Sequence, residues 1–295
     1  MNQEQRSKIA YGRGFLAALD QSGGSTPKAL AQYGVPESGY ATEDAMFDLM
    51  HEFRSRIITA PAFGGGRVLG AILFEQTMDR DVAGTAAARY LWERKQVVPF
   101  VKVDEGLADE QDGVRLMRPF TKLDDLLARA TRRHVFGTKM RSFISRADPA
   151  GVAAVLDQQF GYAERILDAG LMPIIEPEVD IHSEEKQQAE GLLRQGVLDR
   201  LAAMPDGRQV MLKLSIPTQD DFYAELIEHP RVLRVVALSG GYSQQEADAR
   251  LARNHGLIAS FSRALSEDLR HQQTDDEFNR TLDTSIAGIY RASTT

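Results

Sequence analysis

Three lysines lie within short apolar runs of the chain, where a charged side chain is costly. They are Lys102 in Val97–Val103, Lys139 in His134–Met140 and Lys213 in Val210–Ile216. Burial lowers the pKa of an ammonium group unless a partner stabilises its charge, and attack on a carbonyl carbon requires the neutral amine. Only eight of the 35 cationic side chains are lysines. Their placement therefore indicates Schiff-base chemistry.

The residues alone leave two candidate nucleophiles. Lys213 has the most apolar neighbours, since Leu212 and Leu214 flank it directly, and desolvation favours its neutral form. Lys139 shares a strand face with Arg141, and a like charge at that position is also expected to lower its pKa. Both lysines therefore remain candidates for the nucleophile.

The apolar runs recur eight times, with longer segments of helical periodicity between them. Short runs rich in Val and Ile that alternate with amphipathic helices predict a parallel sheet, and eight such units in 295 residues predict a single-domain α/β fold, the (β/α)8 TIM barrel. We expect barrel strands between about 15 and 264 and a C-terminal helix that ends near 291. The predicted strands are 15–19, 68–74, 97–103, 134–141, 171–179, 209–216, 232–238 and 256–263.

Polar side chains follow or occupy the ends of all eight predicted strands. Chemistry in a TIM barrel gathers at the C-terminal ends of the strands, so these groups are expected to share one mouth. The alternative is a set of ion pairs that only stabilises the barrel. The residues are Asp20, Glu75, Lys102 with Asp104, Lys139 with Arg141, Glu176 with Glu178, Lys213, Ser239 and Arg263.

Two glycine-containing loops predict phosphate sites. Leu238–Ser243 follows the seventh strand and Arg263 closes the eighth, the region where TIM barrels often bind phosphate. Adjacent glycines allow backbone N–H groups to approach an anion, and arginine offers a forked cation. Asp20–Lys28, after the first strand, predicts a second site. The alternatives are an ordinary glycine turn at the first loop and a helix start at the second.

Composition excludes several classes of function. A net charge of −7 argues against a general surface for nucleic acid or anionic membranes. The chain has no cysteine, its polar start lacks the apolar segment of a signal peptide, and no apolar run has the length of a membrane helix. Its six histidines show no short ligand spacing. We therefore expect a cytoplasmic protein without a metal or other cofactor.

Seven motifs together resemble class I fructose-1,6-bisphosphate aldolase, in the shorter form found in bacteria. The resemblance runs nearly from end to end and implies a Schiff-base TIM barrel that cleaves fructose 1,6-bisphosphate into two triose phosphates. The motifs are Ala17–Ser25, Ile72–Thr77, Val101–Gly106, Pro173–Glu178, Met211–Lys213, Leu238–Ser243 and Ser260–Ala264.

The resemblance also implies a role for each site residue. Lys213 matches the Schiff-base lysine, Glu176 the carboxylate that handles protons during dehydration, with Glu178 beside it, and Asp20 the group that faces the substrate hydroxyl. Lys139 and Arg141 match the family's Lys-x-Arg, in which the lysine assists proton transfer. The phosphate residues are Ser239, Gly240 and Arg263 on the ketone side, and Lys102, Ser22 and Ser25 on the other.

Two positions depart from the family pattern. The long animal and plant members end in a tail with a terminal tyrosine that exchanges protons, whereas Tyr290 lies near the end of this chain, and Ala29 replaces a basic residue. The alternatives are another Schiff-base barrel, such as a transaldolase or deoxyribose-phosphate aldolase, and a barrel that binds sugar phosphates without catalysis. A homo-oligomer is compatible with the family, and the choice between six-carbon and seven-carbon bisphosphates stays open.

Overall fold

Eight parallel strands form a closed barrel in the computed structural model, which describes residues 1–295. Each strand pairs with its neighbour in chain order, and β8 pairs with β1 to close the ring. The predicted TIM barrel is thereby confirmed. The strands are β1 (Phe15–Leu19), β2 (Val68–Leu73), β3 (Val98–Lys102), β4 (Gly137–Ile144), β5 (Met172–Val179), β6 (Val210–Ser215), β7 (Val232–Leu238) and β8 (Ile258–Phe261).

Helices connect the strands and cover the outside of the barrel. A large cluster of buried apolar side chains fills the layer between strands and helices. None of the helices is both long and apolar enough to cross a membrane. The helices are α1 (Gln3–Tyr11), α2 (Thr26–Tyr33), α3 (Glu43–Thr59), α4 (Glu75–Met78), α5 (Ala87–Lys95), α6 (Leu123–Arg132), α7 (Pro149–Asp168), α8 (Lys186–Ala203), α9 (Ala224–Ile227), α10 (Gln244–Leu251), α11 (Arg263–Ser266) and α12 (Asp275–Ala292).

The strand boundaries differ from the sequence prediction mainly at β4 and β8. β4 begins at Gly137 because His134 takes a left-handed turn with φ 59°, and it extends to Ile144. That extension pairs with a two-residue strand, Val114–Arg115, which runs antiparallel to it. β8 ends at Phe261, and Arg263 begins the short helix α11 instead of ending the strand.

The N-terminal end of the barrel is closed by apolar packing. The stretch before the first strand forms α1, and its Ile9 joins a buried cluster with residues of the barrel interior. Phe100 and Phe136 meet edge to face in this cluster, with ring centroids 5.4 Å apart. Because the N-terminal end is filled with apolar side chains, the polar side chains of the strands lie at the C-terminal end.

Candidate active site

The twelve predicted site residues all line one cavity at the C-terminal end of the barrel. The cavity has a volume of about 690 Å³. β3 to β6, the loops after β1 and β7, and the start of α11 bring these residues together. They are Asp20, Ser22, Ser25, Lys102, Lys139, Arg141, Glu176, Glu178, Lys213, Ser239, Gly240 and Arg263.

Lys139 lies at the centre of a buried group of carboxylates. Its Nζ is 2.7 Å from Asp20 Oδ2, 3.0 Å from Glu176 Oε2 and 3.8 Å from Asp104 Oδ2. Burial by itself lowers the pKa of Lys139, but the three carboxylates outweigh burial and hold that pKa well above its usual range. Lys139 is therefore an ammonium group at any physiological pH.

The expectation that the pKa of Lys139 is lowered is wrong, because its carboxylate neighbours raise it. Arg141 Nε donates to Glu178 Oε2, and its guanidinium lies 5.5 Å from the centre of the Phe143 ring. Burial opposes the charge of Arg141, yet the nearby carboxylates, Glu178 first, raise its pKa. Three carboxylates lie near Lys139 in the fold, although they are distant along the chain, and they keep this lysine charged.

Glu176 bridges the two lysines that were candidate nucleophiles. Its Oε1 lies 2.9 Å from Lys213 Nζ, and its Oε2 lies 3.0 Å from Lys139 Nζ. All three side chains are buried. Lys213 has one carboxylate partner and Lys139 has three. A lysine that must lose its proton to attack a carbonyl is disfavoured among three carboxylates, so this geometry favours Lys213 as the nucleophile.

Asp20 stays ionised because cations surround it. Burial raises its pKa, but Lys139, Lys213 and Lys102 together lower that pKa well below the usual range. Behind it lies the fully buried Arg54, whose Nη1 donates to Thr77 Oγ1 at 2.9 Å and whose Nη2 donates to the Gln21 carbonyl. Burial lowers the pKa of Arg54 to about 10, so this arginine also keeps its charge at neutral pH.

The loop after β7 presents unpaired backbone donors to the cavity. Gly240 and Gly241 have positive φ angles of 62° and 125°. A Cβ atom on Gly240 would lie 2.5 Å from Ile181 Cγ2, so a larger residue does not fit there. The N–H groups of Ser239, Gly240 and Gly241 donate no hydrogen bond to the backbone. With Arg263, which has no carboxylate partner, they can hold an anion.

The opposite side of the cavity carries a second set of cations and hydroxyls. Lys102 Nζ lies 2.7 Å from Asp104 Oδ1. Ser25 Oγ donates to the Ser22 carbonyl at 2.9 Å and accepts from the Ser22 N–H at 3.0 Å, which shapes the turn before α2. Lys28 also lines the cavity, as does Ala29 at the position where the family has a basic residue.

Asp104, which the sequence predicted to share the mouth with Lys102, joins Lys102 to Lys139. Several other residues of the cavity were missed by the sequence prediction. Arg115 lies in the two-residue strand Val114–Arg115 after β3, where no periodicity marks it. Its Nε donates to the Ala108 carbonyl at 2.9 Å, and its guanidinium has no carboxylate partner. The other polar residues of the cavity to which the prediction gave no role include Gln21, Gln32, Ser260, Ser262 and Ser266.

Two residues discussed from the sequence lie outside this cavity. Glu75 begins α4 and pairs with Arg129 at 2.9 Å, so it lines a neighbouring cavity instead. Tyr290 lies on α12, where it packs against the hydrophobic core and does not line the cavity. No group of three or more His, Cys, Asp or Glu side chains has a metal-binding arrangement.

Comparison with known proteins identifies the family. The family described as "Fructose-bisphosphate aldolase class-I", a glycolytic family, matches residues 2–213. Proteins named fructose-bisphosphate aldolase class 1 are similar over the whole chain: that of Synechocystis sp. is 60% identical over 294 residues, which is 100% of this chain and 98% of the relative. That of Clostridium acetobutylicum is 55% identical over 295 residues, with 100% of both chains covered.

A solved structure supports the fold. Fructose-bisphosphate aldolase from Plasmodium falciparum, crystallised with TRAP and a small-molecule inhibitor, superposes with a TM-score of 0.78 at 19% identity. The superposition covers 99% of this chain and 94% of that one. The sequence matches and the shared fold lead to one conclusion: the chain belongs to the class I fructose-bisphosphate aldolase family.

Proposed function

We propose that the protein reversibly cleaves fructose 1,6-bisphosphate into dihydroxyacetone phosphate and glyceraldehyde 3-phosphate through a Schiff base on Lys213. The observation that carries this proposal is the bridge of Glu176 between Lys213 and Lys139 in the mouth of the barrel. It places a proton carrier within hydrogen-bond distance of both a nucleophile and a fixed cation.

The first half of the reaction forms the iminium ion. The neutral Lys213 amine attacks the ketone carbon of the substrate and gives a carbinolamine. Glu176 takes the proton that Lys213 must lose and then delivers it to the hydroxyl group that leaves as water, and its 2.9 Å contact with Lys213 supports this role. Lys139 remains charged beside it and stabilises the negative charge on Glu176 between proton transfers.

The second half breaks the bond between C3 and C4. Asp20, which is ionised before the step, takes the proton of the C4 hydroxyl. The electron pair of the bond moves into the iminium ion, glyceraldehyde 3-phosphate departs, and an enamine remains on Lys213. The proton taken by Asp20 is returned to the enamine carbon, which restores the iminium ion and the ionised Asp20, and water then hydrolyses the iminium ion to dihydroxyacetone phosphate and free Lys213.

Two anion-binding ends of the cavity favour a bisphosphate over substrates with one phosphate. Ser239, Gly240 and Arg263 would hold the phosphate on the ketone side. Ser22, Ser25 and Lys102 would hold the other, while Glu178 keeps the guanidinium of Arg141 at the cavity wall. A transaldolase or deoxyribose-phosphate aldolase needs only one such end. The glycolytic family suggests a cytoplasmic location for this reaction.

A cleavage assay with product identification tests the proposal. Purified protein is incubated with fructose 1,6-bisphosphate in the presence of EDTA, and both triose phosphates are measured by coupled enzymes. We expect equal amounts of the two products and no loss of rate in EDTA. Absence of cleavage would overturn the proposal and favour a barrel that only binds sugar phosphates. Cleavage that EDTA abolishes would overturn the Schiff-base mechanism in favour of a metal-dependent one.

A further inference from the structure

A second cavity lies at the N-terminal end of the barrel, opposite the candidate active site. It has a volume of about 440 Å³, which is within the range of small-molecule sites. The start of α1, the body of α5, the end of α6 and the residues just before β4 and β5 surround it. The two cavities share no residue. A ligand of the second cavity would therefore not compete directly for the active site.

One side chain of this cavity is buried and has no partner within the chain. Gln5, on α1, is 3% exposed and lines the cavity. Its backbone N–H donates to Asn2 Oδ1. Its side-chain amide makes no hydrogen bond, and neither amide atom is sealed from solvent, so the amide faces the cavity. A buried amide without a partner destabilises a fold, and its presence here points to a ligand with matching polar groups.

Packing of α1 does not account for a glutamine at this position. Ile9, one turn further along the helix, is fully buried in the apolar cluster that closes the barrel. Residues four apart lie on the same face of a helix, so Gln5 is on the buried face as well. An apolar residue at this position would extend the cluster and would add no unpaired polar atom. The amide is therefore better explained by binding than by stability.

The cavity also contains the only tryptophan of the chain. Trp92 is half-buried on α5 and packs against the apolar cluster, which includes Phe136. Phe136 lines the same cavity. An indole ring that is held by the core offers a rigid flat surface, and planar heterocycles stack favourably on such a surface. The cavity thus combines a surface for stacking with a polar amide.

The charged side chains of the cavity neutralise each other. Arg89 Nε donates to Glu93 Oε1 at 2.9 Å, and both residues line the cavity. Neither charge is free to hold an ion. The active site differs in this respect, because Arg115 and Arg263 have no carboxylate partner there. The second cavity therefore favours an uncharged ligand.

We propose that this cavity binds an adenine nucleoside, with the base stacked on Trp92 and its amino edge paired with the amide of Gln5. A side-chain amide presents one donor and one acceptor side by side, and adenine presents the complementary acceptor and donor at N7 and the 6-amino group. The inference does not depend on the proposed function, since it concerns a different cavity.

The fluorescence of Trp92 tests the proposal, because no other tryptophan contributes to the signal. Wild-type protein is titrated with adenosine and, as the matched ligand, with purine riboside, which lacks only the 6-amino group. Excitation at the long-wavelength edge of tryptophan absorption avoids absorption by the nucleosides. The variant Q5L removes the amide. Q195L is the control variant, because Gln195 is exposed on α8 and lies outside the cavity.

We expect saturable quenching by adenosine, with a Kd on the order of 0.1 mM. Purine riboside should bind about tenfold more weakly, since one hydrogen bond of the pair is lost. Q5L should weaken adenosine binding about ten- to a hundredfold, and Q195L should match wild type. Saturating fructose 1,6-bisphosphate should leave the Kd for adenosine unchanged, because the two cavities are separate.

Three results would overturn the proposal. Absence of saturable quenching would exclude the nucleoside. Equal affinities of wild-type protein for adenosine and purine riboside would exclude the pairing with Gln5, even if Q5L does not fold. Displacement of adenosine by fructose 1,6-bisphosphate would place the nucleoside in the active site instead. No result requires cleavage activity, so failure of this inference is distinguishable from failure of the proposed function.

Discussion

The two ends of the barrel solve opposite physical problems. The N-terminal end is filled by apolar side chains such as Ile9, Phe100 and Phe136 under α1. The C-terminal end holds four buried charged groups, Asp104, Lys139, Glu176 and Lys213, and the partly buried Asp20, which neutralise one another in part. Burial of charge is costly unless it is paired. The difference indicates that the N-terminal end stabilises the fold, whereas the C-terminal end retains destabilising buried charges because catalysis requires them.

Replacement of Lys213 should have the largest effect on activity. We expect K213M to lower kcat by at least about a thousandfold, because no other side chain of the cavity can replace the nucleophile. K95M is the control: Lys95 lies away from this cavity, where its Nζ donates to the carbonyls of Thr59 and Ala60. Steady-state assays of both variants would measure this, and a K213M enzyme with near-normal kcat would contradict the assignment.

A change at the closed end should act on stability alone. F136A removes a ring that is buried against Phe100, and we expect the free energy of unfolding to fall by about 3–5 kcal/mol. The value of kcat per folded molecule should stay within about twofold, since this layer does not touch the cavity. Denaturant titration and assays at 25 °C would measure both quantities. A large loss of kcat would show that the two ends are coupled.

Replacement of Arg115 tests whether this side chain contacts the second phosphate at the C-terminal end of the barrel. We expect R115L to lower kcat/KM for fructose 1,6-bisphosphate about tenfold, as a charge-assisted contact to the second phosphate is lost. The rate with fructose 1-phosphate, which lacks that phosphate, should not change. R118L is the matched control, because Arg118 Nε also donates to a loop carbonyl, that of Leu107, but the side chain lines only the neighbouring cavity. Equal losses with both substrates would remove Arg115 from the phosphate site.

Replacement of Asp248, a carboxylate outside the cavity, should have the smallest effect. The pH dependence of its contribution to the free energy of unfolding is opposite in sign to that of Asp20. Burial between α10 and α12 raises the pKa of Asp248 to about 6. The folded chain binds this proton more tightly than the unfolded chain, so stability falls as the pH rises from about 4 to about 6. D248N should therefore raise the free energy of unfolding by about 1 kcal/mol at pH 7 and leave it unchanged near pH 4, after allowance for partial exposure.

Unfolding measured at both pH values, with the exposed Asp109 changed to Asn as a control, tests this sign. A D248N variant that is less stable than wild type at pH 7 would contradict the assigned cause. For Asp20 the sign is reversed, because its folded-state pKa is lowered. Its contribution to stability is present above the unfolded-state pKa near 4 and is lost as the pH falls below that value.

The eight strands could be predicted because each combines a short apolar run with a flanking turn, and hydrophobic periodicity is a local property. The lysines could be found for the same reason, since a charge within such a run is conspicuous. The end of β4 was misplaced because its last residues pair with Val114–Arg115, a strand too short to leave a signal in the sequence.

The charges within the site could not be predicted from neighbours along the chain. Arg141 shares a strand face with Lys139, but it pairs with Glu178, and three carboxylates from β1, β3 and β5 or their ends decide the charge of Lys139. From the sequence, Gln159 was only one position in the periodic pattern that predicts α7. Its contact with the Glu176 N–H depends on how the helix packs on the sheet, which no local pattern reports.

Reduction of a trapped Schiff base tests the central claim most directly. Wild-type protein is treated with borohydride in the presence of dihydroxyacetone phosphate and EDTA, and its peptides are then mapped by mass spectrometry. The charge environment described above predicts a single reduced adduct on Lys213, the lysine with one carboxylate partner. An adduct on Lys139 would contradict the conclusion that its carboxylates keep it charged, and no adduct at all would contradict Schiff-base catalysis.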